Sequence, residues 1–353
     1  MTLEDHIISR IQADGPMRLD EYMSTCLLHP TLGYYTTRAP FGAAGDFVTA
    51  PEISQMFGEL IGLALAQAWL DQGAPTRFTL AELGPGRGTL MKDVLRACAG
   101  VAGFLDSANL TLVEAAPAQR EAQRQTLDGV AVTWIDAIDD LPEHPLFLVA
   151  NEFFDALAIR QFVRTGMQWR ERQVGLVEGK LAFGLGPAAP QPALSHLFEE
   201  TRDGDLVEVC AAATPVIDTI ARRISDHGGA ALVVDYGDWR TMGDTFQAVQ
   251  NHQPTDPLAD PGQADLTAHV DFEALARAAA PCRHTRLTPQ GVFLERLGIT
   301  ARAQALAAKL EGDALNTHIA AHRRLTHPQE MGTLFKVLGL FPPDGNPPPG
   351  LEP

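Results

Sequence analysis

A chain of 353 residues, 45% hydrophobic and 20% charged, holds enough apolar matter for one large or two ordinary domains, which excludes a disordered chain and a disulfide-stapled miniprotein. Its 27 basic against 44 acidic side chains leave a net charge of −17, a surface that repels phosphate backbones and anionic lipids, so neither nucleic acid nor membrane is an expected partner. Cys26, Cys98, Cys210 and Cys282 stand far apart without a CxxC pair and offer no zinc framework.

The first segment reads as helical. Thr2 is placed to cap LEDHIISRIQ, and Asp14-Gly15-Pro16 stops it. The acidic opening has neither the long apolar run of a secretion signal nor the basic, acid-poor character of a transit peptide. A Gly/Pro-rich loop, TLGYYTTRAPFGAAGDFVTAPE, leads into one long amphipathic helix expected from Glu52 to about Gln72. Its most apolar part, Gly58 to Leu70, is too short to span a membrane and carries Glu59 and Gln67.

From Arg77 the pattern changes to short apolar runs, FTLAEL, LTLVE, AVTWI and LFLVA, separated by helical stretches at about 89–99 and 117–127. Strands alternating with helices predict a parallel, doubly wound α/β sheet. After residue 158 the period becomes two, with turns at Thr165-Gly166 and Glu178-Gly179, which predicts an antiparallel meander. A helix at about 215–227 returns the chain to a fifth buried strand, AALVVDYG. The stretch NHQPTDPLADPGQADLTAH is too polar and turn-rich to predict a core element. Helices are expected near 271–280, 289–297 and 300–323, then a last strand, TLFKVLGL, and a loose tail, FPPDGNPPPGLEP.

The most informative stretch is AELGPGRGTL. Glu82 lies near the end of a buried strand, and Gly84, Pro85, Gly86 and Gly88 precede a helix that begins near Thr89. Glycine belongs where the chain turns sharply and its backbone must approach a ligand, and the helix N-terminus offers free amides. A dinucleotide fold wants G-x-G-x-x-G, which fails at Thr89, and no Gly-Lys-Ser/Thr follows for a P-loop. The spacing E-x-G-x-G-x-G resembles motif I of the class I S-adenosylmethionine methyltransferases. Glu114 ends the second strand, where a carboxylate has two acceptor oxygens for vicinal ribose hydroxyls. Asp136 follows the third strand, where these enzymes place an acid near the adenine amine. Asn151 and Glu152 follow the fourth, where the methyl group should emerge. Taken singly, the glycines also fit a tight turn and Glu114 a solvated loop acid.

Longer phrases, GDFVTAPEISQMFGELIG, ELGPGRGTLMKDVLRA, ANEFFDALAIRQF, VVDYG, DLTAHVDFEAL and MGTLFKVL, resemble the MidA-like methyltransferases, the family of the mitochondrial complex I assembly methyltransferase, over residues 20–340. The resemblance implies a Rossmann-like seven-stranded sheet with a helical N-terminal cap and an inserted antiparallel β/helical substrate region. The corresponding segments are a cap with the active-site loop (1–75), the first half of the cofactor-binding core (76–158), the inserted meander and helix (159–228), the second half of the core (229–341) and a flexible tail (342–353). It further implies S-adenosyl-L-methionine as cofactor and, as substrate, an arginine on a core subunit of NADH:ubiquinone oxidoreductase. Without a transit peptide and with a GC-biased composition, the expected setting is the cytoplasm of a bacterium.

An arginine guanidinium is always charged, so carboxylates must hold it while one nitrogen loses a proton. Glu152 and Asp155 are the first choices, against a competing reading in which Glu152 binds the cofactor or caps a helix. Phe153 and Phe154 either wall the pocket or are plain core. Asp46 and Glu52 lie in the family phrase GDFVTAPE, which the resemblance folds over cofactor and substrate, although Thr49-Ala50-Pro51-Glu52 also reads as a helix start. Tyr236 and His269 are candidate proton acceptors, competing with a plain strand-end tyrosine and a loop-bonded histidine. His318 and His322 share a helix face without HExxH or a third ligand, so no metal is expected. A non-catalytic assembly chaperone and a small-molecule methyltransferase are the rival functions.

Overall fold

In a computed structural model, residues 1–37 and 48–353 are described. Contacts divide the chain into two units, one comprising Met1–Phe47, Asp155–Ala213 and Arg240–His269, the other Val48–Phe154, Thr214–Trp239 and Val270–Pro353.

The second unit carries the mixed central sheet. Its path consists of β1 (Phe78–Leu83), β2 (Ala108–Val113), β3 (Thr133–Ile135), β4 (Leu146–Asn151), β5 (Gly229–Asp238), β6 (Arg283–His284) and β7 (Phe335–Phe341). The spatial order is β3-β2-β1-β4-β5-β7-β6, with β7 antiparallel to β5 and the first five strands parallel. Val270–Asp271 and Thr288–Pro289 add short pairings. Every residue of β1 and β4 is buried, which is why both strands read as short, mainly apolar runs. The order reverses between β1 and β4, so the loops leaving these strands part company there, at the switch point where open α/β sheets bind their ligands. Besides the single turns Phe104–Ser107 and Met331–Leu334, its helices are α1 (Ala50–Ile53), α2 (Gln55–Asp71), α3 (Thr89–Cys98), α4 (Pro117–Thr126), α5 (Ala213–His227), α6 (Phe272–Ala278), α7 (Gln290–Arg296), α8 (Ile299–Ala307) and α9 (Gly312–Thr326). Phe57, Ile61 and Leu65 of α2 join Leu80, Phe147, Leu232 and Val337 of the sheet in one core.

In the first unit, Thr2 and Asp5 form a capping box at the start of Leu3–Asp14. Leu3, Ile7 and Ile11 pack with Tyr22, Met23, Ile159, Val174 and Leu266. The predicted meander is present as Arg160–Thr165, Gln168–Val177 and Lys180–Ala189, with the turns where they were expected.

Four expectations need correction. The single helix from Glu52 is two, because Ser54 is extended (φ −159°, ψ 135°) and its hydroxyl accepts from Met56 N, starting α2 afresh. The helix expected over 300–323 is likewise two, separated by a turn after Ala307, and the second starts at Gly312 (φ +57°). The polar stretch after residue 246 forms a three-stranded sheet, Gln247–Gln250, Gln253–Thr255 and Asp265–Thr267. Its last strand is wholly buried, with Asp265 satisfied by the Tyr35 hydroxyl. The tail is packed rather than loose: Leu351 is buried, Arg296 pairs with Glu352 at 2.7 Å, and Arg286 N donates to the Glu352 carbonyl.

Candidate active site

The glycine loop is built from backbone that side chains resist. Gly84, Gly86 and Gly88 have φ of +56°, +50° and +83°, the left-handed region, and Gly88 is the residue from which α3 starts. The Gly88 amide donates to the Pro85 carbonyl at 2.7 Å, closing the turn. A Cβ at Gly84 would sit 3.0 Å from Phe153 Cδ2, so the Phe153 ring leans directly over the bare backbone there.

Two buried acceptors lie beneath this loop. Glu82 accepts the Met91 amide, while its Oε2 is buried with no partner among the described residues, and burial pushes its carboxyl up to about 8. Glu82 is paired with Val149, and Asn151 lies two residues further along β4, on the same face of the sheet. Asn151 Nδ2 donates to Glu152 Oε1 at 3.1 Å, and its Oδ1 is buried without a partner among the described residues. Buried unpaired acceptors are costly, and two on one face above adjacent strands suit a donor that is cationic. The α-ammonium of adenosylmethionine is such a donor, so these residues fit the cofactor.

Glu114 stands at the end of β2. Its Oε1 accepts the Ala116 amide at 2.8 Å and its Oε2 accepts Gln123 Nε2 at 3.2 Å; burial holds its carboxyl above the ordinary range. These two bonds leave lone pairs on both oxygens for neighbouring hydroxyls. Asp136 is exposed and paired with Arg120 at 2.6 Å, and Arg120 also donates to the Glu114 carbonyl. Sequence reasoning missed Arg120, Gln123 and Trp134. The signal was present in Gln119, Gln123 and Leu127, spaced by four on the one buried face of an otherwise polar helix.

Glu152 has φ of +51°, uncommon for a residue with a side chain and an observation that points toward function. Its carboxylate accepts the Ala50 amide at 3.3 Å, so it caps α1 rather than the helix that follows in sequence. Glu52, on α1, accepts the Thr89 hydroxyl at 2.6 Å, which ties α1 to the start of α3. Asp235 is fully buried and accepts the amides of Phe154 and Tyr236, fixing the turn after β4 against β5. The Tyr236 ring meets Phe335 edge-on.

Asp155 and His269 belong to the other unit. There the Asp155 carbonyl accepts the Ala268 amide, and the His269 amide donates to the Thr245 hydroxyl. Asp46 lies outside the described residues. His318 and His322 turn to α8, contacting the Ala303 carbonyl and the Thr300 hydroxyl.

A family model of S-adenosyl-L-methionine-dependent methyltransferases matches residues 60–290. The chain is 37% identical to the mitochondrial protein arginine methyltransferase NDUFAF7 of Bos taurus, over 96% of this chain and 82% of that protein. It is 38% identical to the Danio rerio protein of the same name, over 95% and 86%. A Burkholderia thailandensis protein described as a methyl transferase, with S-adenosyl-homocysteine bound, superposes with a TM-score of 0.84 at 29% identity, covering 98% of this chain and 92% of that one. The curated relatives overturn the expected bacterial cytoplasm, since they are named as mitochondrial proteins of animals; composition and an acidic opening do not report compartment. Among the described residues no helix is long and apolar enough to cross a membrane.

Proposed function

Because the chain belongs to the S-adenosyl-L-methionine-dependent methyltransferase family, we propose that it transfers a methyl group to an arginine side chain of a protein. The observation that carries this reading is identity of more than a third, over nearly the whole chain, with enzymes named protein arginine methyltransferases. The two orphaned acceptors under a left-handed glycine loop support it.

Glu82 and Asn151 would receive the cofactor's ammonium, Gly84, Pro85, Gly86, Gly88 and Thr89 its amino-acid end, Glu114 its ribose hydroxyls, and Asp136 with Arg120 would border the base. When bound, the cofactor would supply an electrophilic methyl on sulfonium and leave as S-adenosylhomocysteine; the guanidinium nitrogen that gains the methyl would give its proton to the Glu152 carboxylate. Glu152 would hold the guanidinium, a role that its left-handed backbone supports. Glu52 steadies the segment that Glu152 caps. Phe153, over Gly84, keeps water from the reacting atoms. The MidA-like resemblance gives the client as a core subunit of NADH:ubiquinone oxidoreductase, and a net charge of −17 favours an arginine-bearing partner through long-range attraction.

The test is incubation with methyl-labelled adenosylmethionine and an extract of cells lacking the gene, with the labelled residue mapped by mass spectrometry. Label on an arginine is expected. No labelled protein, together with a Glu114→Ala chain that keeps its biological role, would replace the enzyme with a chaperone.

A further inference from the structure

We propose that Gln123 is a positioning residue that sets the Glu114 carboxylate and the Gly86 turn for the nucleoside, a role that rests on the reading of Glu114 as the ribose acceptor. Gln123 is fully buried on α4. Its Nε2 donates to the Gly86 carbonyl at 2.8 Å and to Glu114 Oε2 at 3.2 Å, and its Oε1 accepts Trp134 Nε1 at 2.8 Å. One amide therefore joins the loop after β1, the end of β2 and the middle of β3.

The amide has only one workable orientation. Turned over, its oxygen would face two acceptors and its NH2 group would face the indole donor. With the amide fixed and the Ala116 amide on the other oxygen, the Glu114 carboxylate is held at both ends, and its remaining lone pairs keep a set direction. The side chain also lies close to the start of α3, since a Cβ at Gly88 would reach within 3.6 Å of Gln123 Cα and Cγ. Neither glutamate nor leucine can replace these bonds: an ionised acid has no donor for the two acceptors, and leucine has no polar atom.

The experiment is calorimetric titration of the full chain with S-adenosylhomocysteine and with its 2′-deoxy analogue. The parent chain should prefer the ribonucleoside, and Glu114→Gln should abolish that preference. Gln123→Leu should weaken the ribonucleoside by roughly 10- to 100-fold and remove most of the preference, because hydrogen bonds to a charged group are lost. Gln123→Glu should regain affinity, relative to the parent chain, as falling pH protonates the introduced acid and restores a donor to Glu114. A merely structural residue would show no such pH profile. If the leucine chain does not fold, Trp134→Phe, which frees the amide at one end, should cut the preference by about threefold.

Equal weakening of both nucleosides in Gln123→Leu, a flat relative pH profile in Gln123→Glu, or an unchanged preference in Trp134→Phe overturns the proposal while leaving Glu114 in place. A parent chain that binds both nucleosides equally overturns the ribose reading of Glu114 and the proposal with it.

Discussion

Glu82 makes cofactor binding a proton-linked event. In the free protein burial raises this carboxyl from 4.5 to about 8, so at neutral pH it is mostly protonated. An ammonium group seated on its unpartnered Oε2 favours the charged form and returns the carboxyl toward its ordinary range. Binding between pH 5 and 8 then releases up to one proton. In the limit, affinity for S-adenosylhomocysteine falls about fivefold from pH 8 to pH 7 and about tenfold over the next unit, so that binding at pH 6 is roughly 50-fold weaker than at pH 8. The sign for stability follows from the same shift. A folded-state value above the unfolded one means that the folded protein holds the extra proton, so this carboxyl progressively destabilises the free protein as pH rises from 4.5 to about 8. Glu82→Gln should abolish the pH slope of binding, weaken affinity at pH 8, and narrow the difference in Tm between pH 5 and pH 8. The assay is calorimetry in phosphate and in Tris, whose different ionisation heats count the protons released. No proton release between pH 6 and 7.5 in the parent chain, or the same slope in Glu82→Gln, refutes the placement of an ammonium on Glu82.

Gly86→Val should weaken S-adenosylhomocysteine binding at least tenfold in a chain that keeps its far-ultraviolet circular dichroism, because left-handed backbone costs a side-chain-bearing residue about 1–2 kcal/mol and the loop will move. Equal calorimetric affinity would count against the loop's role. Glu152→Gly should unfold at a higher temperature than Glu152→Ala, by about 1 kcal/mol of relieved strain at φ +51°, with both variants inactive in the labelling assay; equal Tm values would show that the strain is not felt. Gly229→Ala should fail to give soluble protein, since its Cβ would fall 1.9 Å from the Leu146 carbonyl oxygen at φ +120°; a normal melting curve contradicts this packing. Removing residues 342–353 should lower Tm by several degrees, through exposure of the surface that Leu351 covers and loss of the Arg296–Glu352 pair; an unchanged Tm would mean that the tail is as loose as its composition suggests.

What was legible in the sequence was whatever leaves a local trace. Buried parallel strands are largely apolar, so β1, β2, β4 and β5 were readable, and three closely spaced glycines before a helix have few purposes. The meander announced itself through its two glycine turns. What escaped notice depends on distant partners. Asp265 and Thr267 look like loop residues until Tyr35, far away in the chain, supplies a hydroxyl to Asp265. The tail is rich in proline and glycine, yet its Glu352 meets arginines at 286 and 296. Ser54 interrupts a continuous amphipathic pattern because a cap bond to Met56 outweighs the period of the flanking residues. Gln123 sits in PAQREAQRQT, a segment with the composition of a solvated helix, and only the three structures it bonds to reveal its burial. Compartment left no trace at all that survived comparison with the mitochondrial relatives.

The most direct measurement is a crystal structure of the full chain with S-adenosylhomocysteine. The account predicts density over the Gly84–Gly88 backbone, with the ammonium on Glu82 and the ribose hydroxyls on Glu114. Density for the ligand elsewhere, or a Glu114 carboxylate turned away from a bound ribose, would contradict it.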